Sequence, residues 1–274
     1  MIRLQPAKTF KFPVIAECIN PDLFQDKKAS EIGHMKAWAG NKQRKLADLF
    51  KIEDSNDIQP SGPIEIVIEG DVSKVRRIGS KMNQGTITIR GNVGMHLGEE
   101  MASGKIVVHG NAGAWAGSMM KGGTIEIHGN AGDYLAAPYR GSTKGMHGGR
   151  IDVEGIVGNE PGAYMKAGLI RINGDVGQFV GLRMHNGTIH VQGNCDERPG
   201  ACMIDGKIII SGKLQSILPT FTVDSIRPRV RVDENETAQG PFYLFLGDLA
   251  ESGKGKLYVS KHKNPQLGSY EKFL

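Results

Sequence analysis

Cysteine is scarce in this chain: Cys18, Cys195 and Cys202 are the only three in 274 residues, at irregular spacings. Three such residues exclude a disulfide-stapled scaffold and point to a reducing, cytoplasmic setting. Cys195 and Cys202 lack further cysteines at iron–sulfur or zinc spacing, which argues against a cluster or a structural zinc. No apolar run is long enough to span a membrane, and Met1-Ile-Arg-Leu-Gln-Pro6 has no signal-peptide core. G-x-G-x-x-G, a GK[S/T] phosphate loop and a G-x-S-x-G elbow are all missing. Aromatic residues make up only 6%, too few to interleave with the basic clusters as a single-strand-binding platform would require. Those clusters are Lys27, Lys28, Lys36, Lys42, Arg44, Lys45 and Lys51, then Arg227, Arg229 and Arg231, within a net charge of +5. An acidic partner would suit them; a solvated face is the simpler reading, and no nucleic acid is expected.

Glycine is abundant instead, at 38 residues, and it is periodic. Seven units open at Gly85, Gly104, Gly123, Gly149, Gly168, Gly187 and Gly206; five of the six intervals are 19 residues, and one is 26. With the opening glycine as position zero, position two is always Ile and position four always Ile or Val, from Ile87 and Ile89 to Ile208 and Ile210. Apolar β-branched residues alternating with variable ones describe a strand with one buried face. Position six is Gly91, Gly110, Gly129, Gly155, Gly174, Gly193 and Gly212. A glycine just past a strand suits a corner where φ turns positive. Position sixteen is a methionine column, read as flexible core filler.

A five-residue strand cannot bury itself, but stacked identical units can. Spacing of two excludes a helical repeat, and 19 residues are too few for a propeller blade. The expected fold is all-β: a right-handed parallel β-helix (solenoid) of about seven to eight rungs, roughly 30 Å long, with small capping segments at both ends. The boundaries read as an N-terminal capping segment with short helices over 1–61, the repeat over 62–212, and a capping or partner-docking tail over 213–274. Within the first segment a strand is expected between Leu4 and Ile19, helices after Ser30 and over 41–50, and a loop over 53–63. Ile64, Ile66 and Ile68 read as a worn first rung. The long interval carries seven extra residues after Gly132 that should bulge from one corner. Its Tyr134, Tyr139 and Arg140 are of types enriched at interfaces, and form the candidate partner contact.

No catalytic, cofactor-binding or metal site is expected on this chain. His109 and His128 share position five of consecutive rungs, but Arg90 and Glu154 flank them in that column and no third ligand is supplied. Glu126 and Asp152 neighbour each other at position three, as residues of a solvated face do.

Thirteen-residue blocks of the form G-x-x-M-x-x-G-x-I-x-[I/V]-x-G fall at 79–91, 98–110, 117–129, 143–155, 162–174, 181–193 and 200–212, with Thr143 replacing the first glycine of the fourth. These blocks resemble the repeat found in the C subunit of formylmethanofuran dehydrogenase. The flanks resemble it as well, at Phe12-Pro-Val-Ile-Ala-Glu-Cys-Ile-Asn-Pro-Asp22, at Gly40-Asn-Lys42, at Leu46-Ala-Asp-Leu-Phe50 and at Leu246-Gly-Asp-Leu249. The resemblance implies a non-catalytic β-helical scaffold in a ferredoxin-dependent oxidoreductase complex that reduces CO2 and joins formate to methanofuran in methanogenesis. It also implies where the cofactors lie: molybdopterin with tungsten or molybdenum, iron–sulfur clusters and amidohydrolase metals, all on other subunits. The partners so implied are a pterin-binding oxidoreductase subunit, an amidohydrolase-like subunit and ferredoxin-like subunits. A related formyltransferase/hydrolase complex of methylotrophs has a similar subunit. The repeat is similar too to the C-terminal domain of glutamate synthase, which implies the alternative of a module supporting ammonia transfer between active sites.

Overall fold

A computed structural model describes residues 1–54 and 62–274, so residues 55–61 of the loop expected over 53–63 lie outside the described residues. The chain is mostly β with few, short helices. It opens with strands β1 (Ile2–Pro6) and β2 (Val14–Ile15), helices α1 (Pro21–Phe24) and α2 (Ala29–His34), and strands β3 (Lys36–Ala39), β4 (Lys42–Lys45) and β5 (Phe50–Asp54). Next come β6 (Glu65–Glu69) and β7 (Val75–Arg76). The seven repeats then supply β8 (Thr86–Arg90), β9 (Lys105–Val108), β10 (Thr124–Ile127), β11 (Arg150–Val153), β12 (Leu169–Ile172), β13 (Thr188–Val191) and β14 (Lys207–Ile210). The tail adds β15 (Thr222–Arg231), β16 (Thr237–Gly247) and β17 (Gly255–Ser260).

Each repeat returns to the same sheet one strand further along. Strands β8 to β14 pair in parallel and in register: Ile87 opposite Ile106, Ile106 opposite Ile125, and so on to Ile189 opposite Ile208. A second column of parallel bridges runs from Val72 through Val93, Ala112, Ala131, Val157, Val176 and Cys195 to Leu214. The Ile and Val columns face one continuous core, and the methionine column, Met82 to Met203, is fully buried within it. The 13-stranded sheet is mixed, in the order β15-β16-β17-β14-β13-β12-β11-β10-β9-β8-β6-β1-β5, and its end strands do not pair with each other. A four-stranded sheet, β4-β3-β2-β7, stands beside it.

The glycine columns work differently from the sequence expectation. Position-six glycines do not adopt positive φ; the glycines at positions zero and thirteen do, as at Gly104 with φ +89°. What position six requires is close approach. A Cβ on Gly129 would lie 2.5 Å from Asn111 Oδ1 and 2.6 Å from the carbonyl oxygen of Gly110, in the rung below. No side chain fits between two backbones stacked at strand spacing. Position seven uses the same proximity: Asn111 donates its backbone N–H to Asn92 Oδ1 at 2.9 Å, and Asn130 donates its own to Asn111 Oδ1 at 2.8 Å.

The flanks depart further. The strand expected between Leu4 and Ile19 is two strands interrupted near Pro13, and the helix expected over 41–50 is strand β4 and a single 3₁₀ turn, Leu46–Asp48. Here the Gly40–Asn41 turn folds 42–45 back onto β3, with Lys42 opposite Ala39, so cross-strand pairing overrides local helical preference. Lys28 rather than Ser30 occupies the N-cap of α2; its backbone N–H donates to Glu31 at 2.9 Å. Ile66 and Ile68 do form a rung, β6, and β1 stacks in parallel below it. Beyond the last repeat β17 continues the stack, with Gly255 level with the opening Gly206 but no position-six glycine, and Leu257 opposite Ile208 and Val259 opposite Ile210. The β15–β16 hairpin folds its far end over the sheet's outer face, where Val230, Val232, Ala238 and Phe242 pack on Leu169 and Ile209.

Candidate functional site

The insertion does bulge from a corner, and the corner explains where it goes. Position eleven of the first six units is a non-glycine residue in the left-handed region, His96, Trp115, Tyr134, Glu160, Phe179 and Arg198, and Arg77 continues the column into the worn rung before them, all with φ between 58° and 64°. Because it recurs in seven successive rungs, this conformation belongs to the turn and is not a local distortion. The backbone ladder holds it: Trp115 N–H donates to the Asp133 carbonyl at 3.0 Å, and His96 N–H to that of Ala114 at 3.0 Å. Side chains at position eleven therefore stack rung upon rung.

In three consecutive units that column is His96, Trp115 and Tyr134. The imidazole lies parallel to the indole at 5.4 Å and 3°, and the indole to the phenol at 4.6 Å and 14°. The insertion returns over this stack. Ser118 Oγ donates to the Ala137 carbonyl at 2.7 Å and Met146 N–H to that of Ala136 at 3.2 Å, which fix its two ends. Tyr139 then sits 5.3 Å from His96 and 5.8 Å from Trp115, and the Arg140 guanidinium lies 6.0 Å above the indole. Offset and edge-on aromatic pairs at these distances each contribute about 1 kcal/mol beyond burial.

Charge borders the stack on one side. His96 Nδ1 is 3.5 Å from Glu99 Oε1, and Arg77 Nε is 3.5 Å from Glu99 Oε2 while its Nη1 is 2.7 Å from Glu17. Burial pushes the Glu99 carboxyl up, but His96 and Arg77 outweigh it and hold it below the usual carboxylate value. His96 and Trp115 are themselves buried, at 7% and 8% exposure, while Tyr139 is 46% exposed. The stack is thus a buried footing, and what it holds outward at the corner is an aromatic side chain, Tyr139, with a cation, Arg140, beside it, a pair suited to recognition.

The three contact candidates, Tyr134, Tyr139 and Arg140, are thus brought together. Sequence reasoning missed His96, Trp115, Arg77 and Glu99. The first three share position eleven with Tyr134 in successive units, and reading that column would have found them. The histidines of position five do stack, with His109 and His128 exposed and 4.9 Å apart. Among the described residues no three His, Cys, Asp or Glu side chains gather as a metal-ligand set. Glu126 is paired with Lys105 at 2.9 Å, and Asp152 with Arg150 at 2.6 Å, so each carboxylate is neutralised separately. Burial raises the thiols of Cys195 and of Cys18, the latter to about 11, and desolvation raises Cys202 as well; none has the depressed pKa of a reactive thiol. No described helix is long and apolar enough to cross a membrane.

No family model matches the chain. A 94-residue stretch, 34% of the chain, is 42% identical to the C subunit of the molybdenum-containing formylmethanofuran dehydrogenase 1 of Methanothermobacter thermautotrophicus, covering 22% of that protein. Over 96 residues, 35% of the chain, it is 41% identical to the C subunit of the tungsten-containing formylmethanofuran dehydrogenase 2 of Methanothermobacter wolfeii, covering 35% of it. The matched stretch thus spans between about one fifth and one third of these curated relatives. Structural similarity runs nearly end to end. A chain in the crystal structure of the formyltransferase/hydrolase complex of Methylorubrum extorquens with methylofuran superposes with a TM-score of 0.80 at 30% identity, covering 94% of this chain and 99% of that one.

Proposed function

We propose, because the chain belongs to the family of formylmethanofuran dehydrogenase C subunits, that it is a non-catalytic scaffold of a formylmethanofuran-forming complex. The observation that carries this reading is the end-to-end likeness to a chain of a multi-subunit complex. The fold supports it: regular side chains are committed to one core, and the irregular ones form a recognition surface. In this reading the core is a right-handed parallel β-helix over 62–212, and 1–61 and 213–274 close its ends against edge pairing. Pterin, tungsten or molybdenum, iron–sulfur clusters and amidohydrolase metals reside on the partner subunits, and the His96–Trp115–Tyr134 stack with Tyr139 and Arg140 is a partner contact.

A second reading has a specific observation in its favour. The end-to-end structural likeness is to a formyltransferase/hydrolase complex, so this chain would serve there as the same kind of scaffold without a dehydrogenase. Purification of the tagged chain from its own cells separates the two. Co-purification of a pterin-binding oxidoreductase with tungsten or molybdenum supports the first. An amidohydrolase-like partner and a formyltransferase without either metal supports the second. Stoichiometric metal in the isolated chain, or recovery with a glutaminase, would refute both.

A further inference from the structure

The basic cluster of the N-terminal segment has an address that the scaffold role leaves unused. A groove of about 1120 Å³ opens between residues 8–12 and the four-stranded sheet. Phe10 and Phe12 supply its apolar wall, and Lys8, Lys11, Lys42 and Arg44 line it. Among the described residues none of these four cations has an ion-pair partner, and the one acid lining the groove, Asp48, is already hydrogen-bonded to the Lys45 N–H at 3.2 Å. The volume exceeds the roughly 1,000 Å³ upper range of small-molecule sites.

The groove runs beside a free sheet edge. Strand β4 is outermost in its sheet, and all four of its residues are exposed. The N–H of Leu46 bonds to the Met35 carbonyl, which sets the alternation of the antiparallel pair. Arg44 and Lys42 then turn their backbone groups to β3, whereas Gln43 and Lys45 turn theirs outward. The Lys45 N–H is occupied by Asp48, so Gln43 offers both backbone groups and Lys45 its carbonyl. A charged edge also guards a sheet against aggregation. Two large apolar side chains nearby work against that purpose: Phe12 is 66% exposed and Trp38 is 48% exposed.

We propose that this edge and groove dock an extended acidic segment of a partner protein, which adds as a strand to β4 and places an apolar side chain against Phe12. The four unpaired cations select acidic side chains, and the outward backbone groups of Gln43 select an extended conformation. A nucleic acid would use the cations but not the strand edge. The proposal does not depend on which complex the chain serves.

A photo-crosslinker in place of Gln43, in the full-length tagged chain recovered with its natural partners, tests it. The expected product is one crosslink to a partner segment with acidic residues alternating about an apolar one. Its yield should fall on the order of tenfold in K42E/R44E, and also in the chain with its charges unaltered when salt is raised from about 0.05 to about 0.5 M. The salt arm stands even if the charge-reversed chain fails to fold. Crosslinks to nucleic acid, to a segment without acidic residues or to this chain itself, an absence of crosslink, or a yield indifferent to salt would each overturn the proposal.

Discussion

Replacing Gly193 by Ala should destabilise the protein severely, although the substitution looks mild and φ there is not positive. A Cβ on Gly193 would stand 2.3 Å from the Gly174 carbonyl oxygen, 2.4 Å from its carbon and 2.7 Å from Asp175 N. All three atoms are backbone, so no rotamer change relieves the contact. Making room means separating two rungs by about 1 Å near strands spaced about 4.8 Å apart. The bonds at risk are Gln192 N–H to the Ile172 carbonyl at 2.8 Å and Asn194 N–H to Asp175 Oδ1 at 2.7 Å. Two lost hydrogen bonds at about 1 kcal/mol each, with overpacking of about 1–3 kcal/mol, give roughly 3–5 kcal/mol. At about 2 °C per kcal/mol the melting temperature should fall by at least about 6 °C. Two controls fix the interpretation. Gly268 has nothing within 4 Å of a built Cβ, and its Ala variant should melt near the parent. Gly141 is equally open but has φ +83°, so its Ala variant should lose only the left-handed penalty of about 1–2 kcal/mol. Thermal unfolding followed by far-ultraviolet circular dichroism ranks the three. If Gly193→Ala melted like Gly268→Ala, or above Gly141→Ala, close approach would not be the reason for the position-six column.

Met120→Ala should cost about 2–5 kcal/mol and Met120→Leu under about 1.5, because the side chain is fully buried; urea unfolding midpoints decide between cavity and volume effects. Trp115→Ala removes the middle of the aromatic stack and should weaken complex assembly by about tenfold or more, with a smaller loss for Y139A/R140A; size-exclusion of the reconstituted complex measures it, and unchanged assembly would make the insertion only a loop. The protein should also lose stability in acid through His190. Burial first, then Arg171 and Lys207, push its pKa down to about 4; Nε2 is 3.1 Å from Ser211 Oγ, and Nδ1 faces Glu236 at 3.5 Å. The unfolded chain therefore binds the extra proton between about pH 6.5 and 4, so this contribution is complete above about 6.5 and is lost as pH falls towards about 4. The full loss is on the order of 3 kcal/mol, and His190→Asn should flatten that part of the pH–stability curve.

The repeat was legible because it rests on local chemistry. Ile and Val at alternate positions can be buried only on one face, and a constant pitch puts like residues in register, as Ile106 opposite Ile125 shows. The methionine column followed for the same reason. Legibility stopped where one residue type serves two physical ends. A glycine at position six and one at position zero look identical in sequence, yet one answers a neighbouring backbone and the other a left-handed φ. Asp152 looked like part of a solvated face, but the tip of the β15–β16 hairpin lies beside it: its partner Arg150 also reaches Asp233, at 3.0 Å. Strand β17 keeps the alternation, with Gly255, Leu257 and Val259, but the β15–β16 hairpin takes it off the 19-residue pitch and Lys261 stands where position six carries glycine.

By itself the sequence determined the β character, the pitch, the register and the composition of the core, all of which follow from periodic burial along one chain direction. Tertiary structure alone decided the sites. Stacking brings His96, Trp115 and Tyr134, each 19 residues apart, into contact, and the insertion then folds Tyr139 and Arg140 onto them. The same holds for the unpaired cations around Phe12, gathered from two segments some thirty residues apart by a hairpin that local propensity had assigned to helix. Burial patterns are written along the chain, whereas recognition surfaces depend on which distant segments share a corner, and only packing sets that.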